Sequence, residues 1–213
     1  MAQSDMPVRL DVWSDYVCPF CYLELPVLEQ LQARLGAALD IRWRAFELRP
    51  APARMLAPLN EPPRPAWSRA VYPMAKQRGL TLKPPPVQSR SRLALEAAEF
   101  AKDAGAFSRF HEALFRAFFQ DGRDIGDPRV LGELARDAGL DRESMTRALE
   151  AGRYTARVLA DEEEAQRLGI RGVPAMRLAG AGPVLLLSGA QPEEAVRAAF
   201  TRVRPGPILS AMH

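Results

Sequence analysis

Cysteine and histidine are scarce in this chain, and that scarcity removes several classes of protein at once. The 213 residues contain two cysteines, Cys18 and Cys21, and two histidines, His111 and His213. A single possible disulfide cannot staple a small secreted scaffold. A structural zinc wants four Cys/His ligands, and His213 is the last residue, so zinc at the cysteines would need carboxylate help. No metal is expected. No apolar run reaches the length of a bilayer span, and Met1 to Pro7 lacks the basic and apolar regions of a signal peptide. The expectation is a cytoplasmic protein without a membrane partner. A large charge excess is missing too: the formal net charge is +3, with basic residues spread along the chain and no basic patch interleaved with aromatics. Nucleic acid is therefore not an expected partner. What remains, 47% hydrophobic and 26% charged residues, is ordinary for a globular chain of one domain, or one domain with an insertion.

The two cysteines sit together in Trp13-Ser14-Asp15-Tyr16-Val17-Cys18-Pro19-Phe20-Cys21. Before them, Val8, Leu10 and Val12 alternate with Arg9, Asp11 and Trp13, which predicts a strand. After them, Leu25, Leu28, Leu31 and Leu35 give a helical stripe that ends at Gly36 and carries Pro26, expected to kink it. A thiol at a helix N-terminus meets free N–H groups and the positive end of the helix dipole, which favour a thiolate. Pro19 suits the first helical turn, where a missing N–H costs nothing. A second thiol one turn on can attack a mixed disulfide formed at the first. The motif therefore predicts a redox pair, with Cys18 as nucleophile and Cys21 as resolving thiol. Two inert cysteines packed as small hydrophobes are the competing reading; the intervening proline and the strand–motif–helix setting count against it.

Along the rest of the chain, Ile41 to Phe46 predicts a second strand, parallel to the first because a helix separates them. Leu48 to Pro65, with six prolines, is a connector. A helical region from Ala66 to Leu168 follows: a segment with Trp67, Val71 and Met74 bent at Pro73, a helix with Leu93, Leu95, Ala97 and Phe100, and a stripe of Phe107, Phe110, Leu114, Phe115 and Phe118. That stripe suits core packing better than a peptide groove. Val130 to Ala138, Arg142 to Ala151 and Tyr154 to Leu168 complete the set, and Asp161 to Glu164 reads as a solvated face. Strands return at Val173 to Leu178 and Val184 to Ser188, joined by a hairpin loop, before a closing helix from Pro192 to Val203 and a fraying tail from Pro205. The order β-α-β, all-helical insert, β-β-α with C-x-x-C at the first helix is the thioredoxin topology.

Such a site needs a backbone element facing the thiols, and Gly172-Val173-Pro174-Ala175 is the candidate. An ordinary trans proline starting a strand and a cis Val173–Pro174 bond both fit the sequence. The cis form would present the Val173 N–H and C=O to a substrate strand beside Cys18. Asp15, three residues before Cys18, reads as an exposed loop acid. Asp11 faces either core or solvent; buried under the motif, it would be a proton-transfer group for Cys21. Phe20 offers a Cys18 thiolate neither hydrogen bond nor charge, so a less oxidising couple is expected than with histidine there. Val173, Pro174, Phe20 and Pro19 are the expected substrate contacts.

Asp11-Val12-Trp13-Ser14-Asp15, Cys18-Pro19-Phe20-Cys21, Gly172-Val173-Pro174 and Ser188-Gly189-Ala190-Gln191-Pro192 resemble the DsbA-like thioredoxin superfamily. With Pro86 to Leu93 and Asp121 to Asp127, the chain is most similar to the cytosolic FrnE-type branch, over nearly its whole length. The resemblance implies an α/β thioredoxin domain in two parts, 1–65 and 169–213, interrupted by an α-helical insertion domain at 66–168. It also implies a redox-active Cys18–Cys21 pair and a cis proline at Pro174. The branch commonly has tryptophan where this chain has Phe20. The implied activity is thiol–disulfide exchange with a protein or small-molecule disulfide. It needs no cofactor, and glutathione or a reductase would recycle the pair. Kappa-class glutathione transferases and 2-hydroxychromene-2-carboxylate isomerases share the insert but typically carry serine at the Cys18 position. A non-catalytic binding module of the same fold is a further alternative.

Overall fold

A computed structural model gives the structure and describes residues 6–55, 65 and 67–204. Residues 56–64 of the proline-rich connector and the tail from Pro205 lie outside the described residues. Strand β1 (Val8–Ser14) is the inner strand around which the sheet is laid. It pairs in parallel with β2 (Leu39–Ala45), Val8 opposite Leu39 through Ser14 opposite Ala45. It pairs antiparallel with β3 (Ala175–Ala179), which continues into β4 (Leu185–Ser188), giving the order β2-β1-β3-β4. The parallel pair is joined by α1 (Pro19–Leu35), the crossover that parallel strands require. Pro19 lies in its first turn, Gly36 closes it in the left-handed region at φ 51°, and the helix continues as one element through Pro26. Gly36 is suited to that end because it has no Cβ to clash there.

The alternation in β1 decides which side chains meet which layer. Val8, Leu10 and Val12 pack on Val27, Leu28 and Leu31 of α1 and on Val196, Phe200 and Val203 of α8 (Glu193–Val203). On the other face, Trp13 is fully buried with Ala165 and Ile170 and donates its indole N–H to the Asp161 carbonyl at 2.9 Å. Between β2 and β3 in sequence come α2 (Tyr72–Gln77), α3 (Arg92–Asp103), α4 (Phe107–Phe119), α5 (Pro128–Asp137), α6 (Arg142–Glu150) and α7 (Thr155–Arg167). The α4 stripe is core: Phe110, Leu114 and Phe115 are fully buried, in one apolar cluster with Cys21, Tyr22 and Leu23 of α1. The bend expected at Pro73 takes a definite form. A π-helical stretch, Trp67–Val71, runs into α2, where Pro73 occupies the first turn. The proline's missing N–H is harmless at that position.

The acidic run on α7 is not a solvated face. Asp161 is buried, and its carboxylate accepts from Arg44 Nη1 at 3.0 Å and from the Ala45 N–H at 2.9 Å. Glu162 accepts from the Glu47 N–H at 3.1 Å and pairs with Arg92 at 3.3 Å, while Glu163 is exposed. The reason is topological: α7 lies against the end of β2, an edge strand whose backbone N–H needs a partner. Local charge density could not show this. Asp161→Ala, which strands a buried N–H and takes from Arg44 one of its two carboxylate partners, is expected to cost on the order of 3 kcal/mol in urea denaturation. Glu163→Ala, two residues on, should stay within about 0.5 kcal/mol of wild type. Equal effects from the two substitutions would contradict this assignment.

Candidate active site

The site begins where β1 stops. The chain leaves the sheet at Ser14, turns with the Cys18 N–H donating to the Asp15 carbonyl at 3.1 Å, and enters α1 with Cys18 as its N-cap and Pro19 next. Both cysteines are free thiols. The first two N–H groups past the proline that bond back, those of Cys21 and Tyr22, take the Cys18 carbonyl at 3.1 and 3.3 Å. The Cys18 side chain itself caps no helical N–H. Its thiol instead donates to the Val173 carbonyl at 3.4 Å, across 155 residues of sequence. The Val173–Pro174 peptide bond is cis, Pro174 is buried, and the Pro174 carbonyl accepts from the Gly189 N–H at 2.8 Å. Among the described residues the Val173 N–H has no partner.

The two thiols differ in setting. Cys18 keeps 4% exposure and Cys21 none. Cys18 is thus more enclosed than a helix-end nucleophile is expected to be. Val17, Pro19, Phe20 and Val173 around it are each half-buried and form an apolar collar. Burial pushes the Cys21 thiol well up, and the neighbouring Cys18 sulfur adds to this; the nearby Asp15 N–H and Ser14 hydroxyl pull the other way. Beside the collar opens a cleft of about 680 Å³ with Val17, Pro19, Trp67 and Phe119 on its apolar side and Arg49 and Gln88 as polar groups.

Asp15 is not the exposed loop acid its position suggests. It is fully buried, and its carboxylate accepts from the Leu48 N–H at 2.7 Å and the Val17 N–H at 3.3 Å. Burial raises it from the ordinary 3.8 to about 6, against the pull of those hydrogen bonds and one from Ser91. Asp15 thereby ties the motif to the chain leaving β2. Asp11 is buried as well, yet it does not serve Cys21. Strand alternation turns it away from α1, and its oxygens are taken by Arg9 at 2.7 Å, Arg44 at 3.0 Å and Arg177 at 3.4 Å. None of its hydrogen bonds reaches a cysteine, so the expected proton-transfer role falls away.

Three groups at the site were not singled out by sequence reasoning. Ser14 extends the Val8, Leu10, Val12 alternation onto the face that α1 covers, a signal the pattern did contain. Tyr16 shares a 2.7 Å hydrogen bond with His111 Nδ1, and both are buried. Burial holds His111 down at about 3, so its ring is neutral at physiological pH. Glu24 on α1 receives Arg78 at 2.9 Å and the Gln191 N–H at 3.0 Å, fixing the helix to both flanking segments. Nothing local marks His111 or Arg78, whose partners are 95 and 54 residues away. Among the described residues, no three Cys, His, Asp or Glu side chains converge as a metal site. No described helix is long and apolar enough to cross a membrane.

The raised Asp15 carboxyl has a definite consequence for pH dependence. A carboxyl that is harder to ionise folded than unfolded contributes stability below its unfolded value, and loses it as pH rises through the folded value. Between pH 4.5 and 7.5 wild type should therefore lose about 2 kcal/mol relative to Asp15→Asn. Paired denaturation curves at the two pH values measure this, and a pH-independent gap between the proteins would refute it.

Comparison with known proteins agrees with this geometry. The model of the DSBA-like thioredoxin domain matches residues 9–201. The uncharacterized protein YwbO of Bacillus subtilis (strain 168) is 38% identical over 152 residues, 70% of this chain and 75% of that one. The crystal structure of the probable DsbA oxidoreductase SCO1869 from Streptomyces coelicolor is 29% identical, with a TM-score of 0.76 over 96% of this chain and 94% of that chain. The cytosolic disulfide reductase DsbM from Pseudomonas aeruginosa, also solved with glutathione, shares the fold at 22% identity, a TM-score of 0.70, and 93% and 100% coverage. The chain belongs to the DSBA-like thioredoxin domain family.

Proposed function

We propose that the protein is a cytoplasmic thiol–disulfide oxidoreductase of FrnE type, working through a mixed disulfide at Cys18. The observation that carries this reading is the pair of free thiols one helical turn apart, with the outer one against the Val173 carbonyl. In the reducing direction, the Cys18 thiolate attacks a substrate disulfide. One S–S bond forms as the other breaks, and the first substrate thiolate leaves. Cys21, having lost its proton, then attacks the Cys18 sulfur. The Cys18–Cys21 bond forms, the second substrate thiolate leaves, and two electrons have passed to the substrate. In the oxidising direction the same steps run backwards. The substrate strand would lie along Val173 and Pro174, using the free Val173 N–H, with its flanking side chains on Pro19 and Phe20.

The oxidised pair must be reduced again from outside, since the chain holds no third cysteine. Glutathione, found with DsbM, or a reductase fits that role, and the cleft with Arg49 and Gln88 has polar groups for a small thiol's carboxylate or amide. A glutathione-dependent isomerase of the same fold has no need of a resolving thiol. Cys21, directed at Cys18 and buried, favours the oxidoreductase.

Insulin reduction with glutathione as donor tests the proposal. Cys18→Ala should fall to the uncatalysed rate. Cys21→Ala should accumulate a mixed disulfide at Cys18, visible as an adduct in the intact mass. Wild-type turnover by Cys18→Ala would end the reading.

A further inference from the structure

Cys21 must give up a proton to resolve the mixed disulfide, and it is fully enclosed. The carboxylates around the motif do not present themselves: Asp11 is held by three guanidinium groups, Asp15 turns its oxygens to Leu48, Val17 and Ser91, and Glu24, one turn on from Cys21, engages Arg78 and the Gln191 N–H through Oε2. The Ser14 hydroxyl does. It faces α1 by strand alternation, is buried beside Cys21, whose thiolate it favours, and forms no hydrogen bond to any described protein atom.

Ser14 also lines a small cleft behind the motif, about 260 Å³ in all, with room for a single ordered water. Two buried side-chain atoms among its lining residues lack protein partners: Ser14 Oγ and His111 Nε2. Buried polar atoms without protein partners are where an ordered water belongs. Tyr16 and Trp43 also line this space, as do Glu99 and Lys102, an ion pair whose lysine is half-buried.

We propose that Ser14 is the proton carrier of the resolving thiol, and that the cleft behind it is the proton's way to solvent. This rests on the thiol–disulfide reading above. As Cys21 attacks, its S–H proton passes to Ser14 Oγ, and the proton already on Ser14 passes to water in the cleft. The Cys21–Cys18 bond forms, the Cys18–substrate bond breaks, and the electron pair leaves on the substrate thiolate, which takes a proton from solvent. One proton thus leaves Cys21, one enters the cleft and moves out past Glu99 and Lys102, and Ser14 is unchanged.

An aromatic disulfide, 5,5′-dithiobis(2-nitrobenzoate), separates the two steps. Each releases one coloured thiolate: the first when Cys18 is modified, the second when Cys21 resolves it. In Ser14→Ala the first release should stay within about twofold of wild type, and the second should slow on the order of 10–100-fold, as loss of a proton-transfer group does. Its pH profile should move to higher pH, and its solvent deuterium isotope effect should change. Ala98→Val narrows the cleft without touching a hydroxyl and should slow the second release alone. A wild-type second release in Ser14→Ala, or equal slowing of both releases, overturns the assignment of Ser14. Absence of the first release in the wild type would instead overturn the oxidoreductase reading itself.

Discussion

The contact from Cys18 Sγ to the Val173 carbonyl, 3.4 Å long, is the point on which the site depends. It can form only if β1 ends one turn before α1 begins and β3 runs antiparallel beside β1, since that pairing sets Ala175 opposite Trp13. The chain on either side is fixed independently. Trp13 is pinned to α7 through the Asp161 carbonyl, and Glu24 is pinned to Arg78 and Gln191. A site built from a strand end, a helix start and a loop is thus held by rigid elements on every side, as a catalytic geometry requires.

Electrostatically, the arrangement separates two thiols of the same kind by their surroundings. Cys18 stands at the helix N-terminus, where the dipole's positive end lies. Cys21 is one turn deeper, in the same apolar cluster as Phe115 and Phe110, where burial opposes its ionisation. In the proposed exchange that difference makes Cys18 the attacking sulfur and Cys21 the reserve. The buried acids next to the motif divide their work differently from their spacing: Asp11 pairs with three arginines, and Asp15 fastens the loop after β2.

Much of this was legible in the residues. Period-two alternation over Val8 to Trp13, the stripe after Cys21, the parallel partner at Ile41 to Phe46 and the hairpin at the end all match observed elements, the strands with ends shifted by one or two residues. The aromatic run on α4 packs as core because its residues share one helical face. What could not be read were burials imposed from far along the chain. Asp15 and Asp161 resemble surface acids until the chain at and just past the end of β2 brings a backbone N–H to each, from Leu48 and Ala45. His111 becomes a site neighbour only because α4 is laid against Tyr16. In each case the deciding partner is tens of residues away, beyond any local period.

The inequality of the two sulfurs is the claim most open to direct measurement. Iodoacetamide treatment of the native reduced protein, followed by peptide mapping over time, reports which thiol reacts. Modification is expected at Cys18 alone, with Cys21 labelled only after unfolding. Cys21 labelled first, or both thiols at one rate, would contradict it.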